Sequence, residues 1–146
     1  MKKIFFIIWG NPKFYQTLVF LSQKISKQNF KIFIIARNLS HEKDIIKKVY
    51  FGKNVHILNS PNFFLKSNNL LDYLIFIFYV FFQFLLIAPN NVIFFNKKSL
   101  FCILILKIFR KNTNFTYHNF DFDLVQNTKI LKEKILIKFE LFCSRF

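Results

Sequence analysis

Within Phe115-Thr116-Tyr117-His118-Asn119-Phe120-Asp121-Phe122-Asp123, an apolar run opens into one imidazole and two carboxylates. It is the densest group of potentially chemical side chains in the sequence. Imidazole changes protonation near neutral pH, so His118 could donate a hydrogen bond to, or orient, a substrate hydroxyl or a leaving phosphate. The plainer role is a histidine that caps a strand end through its backbone. Asp121 and Asp123 could accept from hydroxyls, although an Asp in a loop ahead of a helix commonly serves as a turn or cap residue. Of the two, Asp121 is preferred. One histidine and two carboxylates so close in sequence make a poor metal cage, and His41 and His56 lie on other segments. No metal is therefore expected.

Such groups act only if a scaffold holds them. Val92, Ile93, Phe94 and Phe95 read as a strand over 91–95, Leu100 to Lys111 fits a connecting helix, and Asn114 to Tyr117 reads as the next strand. Strand, helix, strand and polar loop is the pattern of a parallel βαβ unit. In open sheets of that kind ligands sit outside the carboxyl ends of the strands, where His118 and Asp121 would fall.

The same alternation runs back to the start of the chain. Ile4 to Trp9 is a continuous apolar run of strand length, as expected of a central parallel strand covered on both faces. Gly10-Asn11-Pro12 supplies a turn: Gly and Asn tolerate left-handed backbone, and Pro12 suits a first helical turn because it lacks an N–H. Phe14, Leu18, Leu21 and Ile25 then mark one face of a helix over about Lys13 to Gln28, which Asn29 closes. Lys31 to Ala36 is a second buried strand ending at Arg37. Ser40 can cap a short helix through about Tyr50 that Gly52 ends, and Val55 to Leu58 is a weaker third strand. A last helix spans about Thr128 to Ser144, with Leu131, Ile135, Phe139 and Phe142 on one face.

Leu70 to Ile87 admits a different reading. As a helix its apolar length is about 27 Å, near the ~30 Å hydrocarbon core of a bilayer. Its polar residues Asp72, Tyr79 and Gln83 fall on one narrow stripe at helical spacing. A lone lipid-facing span has no use for such a stripe, whereas a mostly buried or membrane-seated helix with a thin wet edge does. Pro89 stops the helix.

Composition narrows the class. A hydrophobic share of 53% with only 2 Gly and 3 Pro among 146 residues excludes a disordered or linker-rich chain and leaves room for a single domain over residues 1–146. Against 22 Lys and Arg stand 7 Asp and Glu, a formal net charge of +15 that attracts polyanions or an anionic membrane surface. Lys, Asn, Ile and Phe are over-used together, which codon bias in an AT-rich genome produces by itself. The basic residues are scattered over several predicted helices without a recognised motif, so nucleic acid is not an expected partner. Cys102 and Cys143 lie far apart in apolar helical runs, as two buried free thiols in a reducing cytosol would. The start Met1-Lys2-Lys3 before Ile4 to Trp9 lacks the length and cleavage site of a signal peptide.

The order of elements resembles the N-terminal domain of GT-B-type glycosyltransferases, close to the family 4-like N-terminal domain. The residues that carry the likeness are Lys2-Lys3-Ile4, Lys27-Gln28-Asn29-Phe30-Lys31-Ile32, Asn91-Val92-Ile93-Phe94-Phe95-Asn96, Tyr117-His118-Asn119-Phe120-Asp121, and Glu140 with Ser144-Arg145. Among them the Tyr-His-x-x-Asp cluster is the most specific. The resemblance implies an acceptor-side, Rossmann-like α/β domain of three layers with a mainly parallel sheet of about five strands. It implies that a C-terminal domain or split partner chain, absent from this sequence, holds a nucleotide-sugar donor, so that Phe146 is an early end and the chain alone is inactive. It further implies His118 as the catalytic residue, and Gly10, Asn11, Asn96 and Asp121 as acceptor- or donor-binding positions. At the first loop, where family members often carry two glycines close to the donor phosphates, this chain has Gly10 and Asn11. No G-x-G-x-x-G fingerprint occurs, and no cofactor beyond the donor substrate is implied. The expected acceptor is a glycan or lipid-linked molecule of the cell envelope, and the expected location is cytoplasmic, peripheral on the inner face of the plasma membrane. The alternative is a small basic membrane protein that spans the bilayer at residues 70–87 without catalysis.

Overall fold

The computed structural model describes residues 1–37, 50–61, 69–109 and 112–118. Five strands form one all-parallel sheet: β1 (Lys3–Ile8), β2 (Lys31–Arg37), β3 (Val55–Ser60), β4 (Asn91–Phe94) and β5 (Asn114–Tyr117). Their spatial order is β3-β2-β1-β4-β5. Four helices are described: α1 (Gln16–Ser26), α2 (Asn69–Ile87), α3 (Lys97–Leu100) and α4 (Cys102–Phe109). The expected α/β, Rossmann-like architecture is the one observed.

The core follows from the period of two along each strand. Phe5, Ile7 and Trp9 of β1 and its exit face one side with Phe33, Ile35, Val92 and Phe94, where α2, α3 and α4 cover them. Ile4, Phe6 and Ile8 face the other side with Ile32, Ile34 and Phe95, covered by Leu18 of α1. Both faces of the central strand are therefore dry, and Phe5, Phe6, Ile7 and Ile8 have no solvent exposure. That burial explains the continuous apolar run, since each such side chain contributes roughly 1.5–3 kcal/mol by leaving water. Phe6 pairs in register with Ile34 on one side and Ile93 on the other, so Phe6→Ala opens a cavity at the sheet's centre and costs about 3–5 kcal/mol.

Element boundaries shift where local chemistry outweighs hydrophobic pattern. Pro12 stands, as expected, at the first position of a helical turn, but that turn is a separate 3-10 turn, Pro12–Phe14, and α1 starts only at Gln16. Asn11 has φ of −79° rather than a left-handed backbone, and its side chain caps this turn. Asn29 does close the α1 region with φ of 60°. β3 runs on to Ser60, two residues past the expected Leu58, because its pairing with β2 extends to Arg37 and Ser60. The single helix expected over Leu100 to Lys111 is broken at Phe101, since Asn96 and Ser99 form a capping box that starts α3 early, at Lys97.

The polar stripe of α2 departs most from expectation. Asp72, Phe76, Val80 and Phe84, four residues apart, are the buried face, and Tyr79 and Gln83 flank it. Asp72 thus points into the protein instead of marking a wet edge, because Arg37 neutralises it there at 2.8 Å. The outward face is apolar: Leu71, Leu74, Phe78, Phe82 and Leu85 are exposed. The helices expected from Ser40 and from Thr128, together with Asp121, Asp123 and Cys143, lie outside the described residues.

Candidate functional site

Sheet topology fixes where a ligand can enter. From β1 the chain winds outward to β2 and β3, with α1 over one face. It then returns through α2 on the opposite face to β4 and continues to β5. The winding direction reverses between β1 and β4, the point at which parallel sheets commonly form a ligand crevice beyond the carboxyl ends of the strands.

Gly10 and Asn11 leave β1 at this point. Gly10 has φ of +151°, a backbone that side-chain-bearing residues rarely adopt, and this lets the chain turn directly after Trp9. The Asn11 Oδ1 accepts from the backbone N–H of Lys13 at 3.1 Å, which begins the 3-10 turn. Across the crevice, Asn96 follows β4. Its Nδ2 donates to the carbonyl of Trp9 at 2.9 Å, and its Oδ1 accepts from the backbone N–H groups of Trp9 at 3.4 Å and Ser99 at 2.9 Å. The side-chain amide thus imitates one more ladder step between β1 and β4, just beyond the last backbone bond from Phe95 N–H to the Ile7 carbonyl at 3.0 Å. This clasp closes the floor of the crevice.

His118 arrives from β5. Its backbone N–H donates to the Phe94 carbonyl at 2.8 Å, the strand-capping role, and its ring stacks on Phe95 with centroids 5.9 Å apart and planes 10° from parallel. Gly10, Asn11, Asn96 and His118 therefore stand at the carboxyl ends of three adjacent strands. Asp121 is outside the described residues. Among the described residues no three His, Cys, Asp or Glu side chains come together as a metal site.

A second constellation at the same edge, on the α2 side, escaped the sequence reading. The Arg37 guanidinium lies 4.5 Å from the Trp9 ring centroid, and the Lys98 ammonium lies 5.8 Å from it. Phe76 and Tyr73 meet Trp9 edge-on at 5.1 and 5.0 Å. The Tyr73 hydroxyl donates to the Lys98 carbonyl at 2.6 Å, and burial, with the nearby Cys102 adding to it, pushes its pKa far above the ordinary tyrosine value. It is held as a neutral donor. Arg37 Nη2 donates to Asp72 Oδ2, while Arg37 Nε and Asp72 Oδ1 are buried with no partner among the described residues. The available signal was Asp72 itself, a lone carboxylate in an otherwise apolar helix, which calls for a buried counter-ion. Arg37 at the end of the neighbouring strand was its candidate.

The chain matches no protein-family model and no curated protein.

A cavity of about 460 Å³ lies at the opposite, amino-terminal edge, lined by Gln23, Ser26, Lys27, Tyr50, Gly52 and Lys53. Its Ser26 hydroxyl donates to the Gln23 carbonyl at 2.9 Å. Two lysines beside the carbonyl end of α1 provide no acid, base or nucleophile pair, so the crevice between β1 and β4 remains the better candidate for chemistry.

Proposed function

We propose that the chain is the acceptor-side half of a glycosyltransferase, with its ligand cleft above the carboxyl ends of β1, β4 and β5. The observation that carries this reading is the reversal of winding between β1 and β4, where Asn96 reaches across to Trp9, next to Gly10, and His118 ends the adjoining strand. Parallel sheets bind small ligands at such points, and the resemblance of the strand exits to family 4-like domains names the ligand class. In this reading Gly10 and Asn11 let the backbone approach a phosphate or sugar, Asn96 keeps the two strand exits at fixed spacing, and the His118 imidazole orients a sugar hydroxyl or a leaving phosphate. Asp121 supplies an acceptor for hydroxyls. A C-terminal domain or a partner chain carries the donor site, and the nucleotide sugar is a substrate rather than a resident cofactor.

Ligand-observed NMR on the intact chain tests this with two probe sets, nucleotide diphosphate sugars and glycans carried on a polyprenyl phosphate. Saturation transfer to the glycan probes is expected, with His118→Ala weakening it about tenfold, or roughly 1.4 kcal/mol, at unchanged melting temperature. Silence of both probe sets removes the reading, and indifference to His118→Ala removes the role of that residue.

The alternative, a membrane protein without catalysis, draws on one observation: Leu70–Ile87 is long and apolar enough to cross a bilayer. Alkaline carbonate extraction separates the two, since a spanning helix resists it and a surface-seated domain does not.

A further inference from the structure

β3 is an edge of the sheet, with β2 as its one neighbour. Its pairing runs without a bulge from Ile32 opposite Val55 to Arg37 opposite Ser60. The Ile32 N–H donates to the Asn54 carbonyl at 3.1 Å, and this fixes the alternation along the strand: His56, Leu58 and Ser60 turn their backbone groups toward β2. Val55, Ile57 and Asn59 therefore turn their N–H donors and carbonyl acceptors outward. Among the described residues nothing bonds to those outward groups. The opposite edge, β5, is 4 residues long and by the same alternation turns only Phe115 and Tyr117 outward.

Sheet edges are normally blunted by a charged side chain, a proline or a bulge. Val55-His56-Ile57-Leu58-Asn59-Ser60 contains no Lys, Arg, Asp, Glu or Pro, and Ile57 at its middle is 40% exposed. The symmetry of this edge selects its partner. A two-fold axis normal to the sheet sets the strand antiparallel to a copy of itself and keeps each face on its own side, so a residue can oppose only one of the same face. With the axis at Ile57, that residue opposes its own mate, and Val55 opposes Asn59 of the other copy. Every outward donor then meets an outward acceptor. With the axis at Leu58, Val55 falls opposite Pro61, which has no N–H to give. The axis at Ile57 also carries the two Lys53 residues to opposite ends of the pair, roughly 25 Å apart, well beyond the ~10 Å screening length. A parallel pairing would set them side by side.

We propose that β3 pairs with β3 of a second copy about this axis, joining two five-stranded sheets into one continuous sheet. The closed two-fold arrangement covers both β3 edges at once. The contact itself is neutral, while each copy carries a formal net charge of +15, so salt strengthens the dimer by screening the repulsion between the copies. An ion-paired interface behaves in the opposite way. The inference does not depend on the glycosyltransferase reading, since β3 is separated from the β1 exit by β2.

Sedimentation velocity of the whole chain over a concentration series tests it. A concentration-dependent dimer is expected, with a dissociation constant that falls severalfold as salt rises. Ile57→Lys sets two ammonium groups against each other at the axis. Ile57→Pro removes the central donors and spares the β2 ladder, because that N–H faces outward. Each variant should raise the dissociation constant about tenfold with an unchanged circular dichroism spectrum. Mild oxidation gives a second readout. Ile57→Cys should yield a disulfide-linked peptide joining residue 57 to residue 57, since directly opposed Cα atoms lie about 5.5 Å apart. Asn59→Cys lies roughly 13 Å from its own mate and should yield no such link. A monomer at every concentration, a dimer that salt weakens, or a link at residue 59 as strong as that at residue 57 would each overturn the proposal. So would a dimer indifferent to both Ile57 variants, which places the contact on another surface such as the outer face of α2. Loss of glycan binding in the NMR test leaves it untouched.

Discussion

Arg37 at the carboxyl end of β2 donates to Asp72 in the first turn of α2 at 2.8 Å, in a pair whose carboxylate is 4% exposed and whose guanidinium is 17% exposed. The contact fixes the helix against the sheet across the exit of β1, with Trp9 beneath the guanidinium. Removing one partner leaves the other charge buried and uncompensated, which is more damaging than the pair itself is stabilising. Asp72→Ala should therefore lower unfolding free energy by about 2–3 kcal/mol, below the range for wholly buried pairs because Arg37 reaches some solvent. Urea titration of Asp72→Ala beside the double variant Arg37→Met, Asp72→Leu checks this: the double variant should recover most of the loss.

Asn96 separates two roles that share one side chain. Its Oδ1 caps α3, and its Nδ2 holds the Trp9 carbonyl. Asn96→Asp keeps the cap but turns the second contact into a repulsion between oxygens, and it should cost roughly 1–2 kcal/mol. Wild-type thermal stability in Asn96→Asp would reduce the residue to an ordinary helix cap.

Ala88 closes α2 with φ of 55°, and its N–H donates to the Phe84 carbonyl at 3.0 Å. An alanine in this left-handed conformation is strained by about 1 kcal/mol, so Ala88→Gly should raise the unfolding midpoint despite the extra freedom of the unfolded chain. Gly52→Ala should do the reverse, and strongly. At φ of +124° an added Cβ would lie 2.9 Å from the Ser26 Cβ and closer still to its hydroxyl. Chemical denaturation of both variants should show opposite signs.

Cys102 is wholly buried, and burial pushes its thiol up from 9.0 to about 12. Below pH 9 folded and unfolded states both hold the proton, and the thiol has no effect on pH dependence. From pH 9 toward 12 the unfolded thiol ionises while the folded one does not, so stability falls as pH rises. The stability deficit of Cys102→Ala at neutral pH should shrink over that window, and peptide mapping after iodoacetamide treatment should find Cys102 unlabelled in the native protein.

The strands were legible because each is a short apolar run between turn residues, and a sheet buried on both faces leaves little else for Phe5 to Ile8 to be. The crevice positions Gly10, Asn11 and Asn96 were legible as strand exits. Their partners were not: a sequence shows that Asn96 follows a strand but not that its amide reaches Trp9, 87 residues earlier. Burial of Asp72 was missed for a related reason. Its helix is apolar on nearly every side, so periodicity could not say which stripe faces inward, and the deciding contact comes from Arg37 on a strand 35 residues away. The break at Phe101 was hidden because Lys97 to Phe109 is helix-compatible throughout, and only the Asn96–Ser99 cap sets where the first turn begins.

Trp9 is the chain's single tryptophan, and it stands at the lip of the crevice with Arg37 and Lys98 near its ring. The protein thereby carries its one indole fluorophore at the place where its two halves diverge. Any molecule that enters there and draws either cation away changes the field across the indole, and the emission colour reports the arrival without an attached dye.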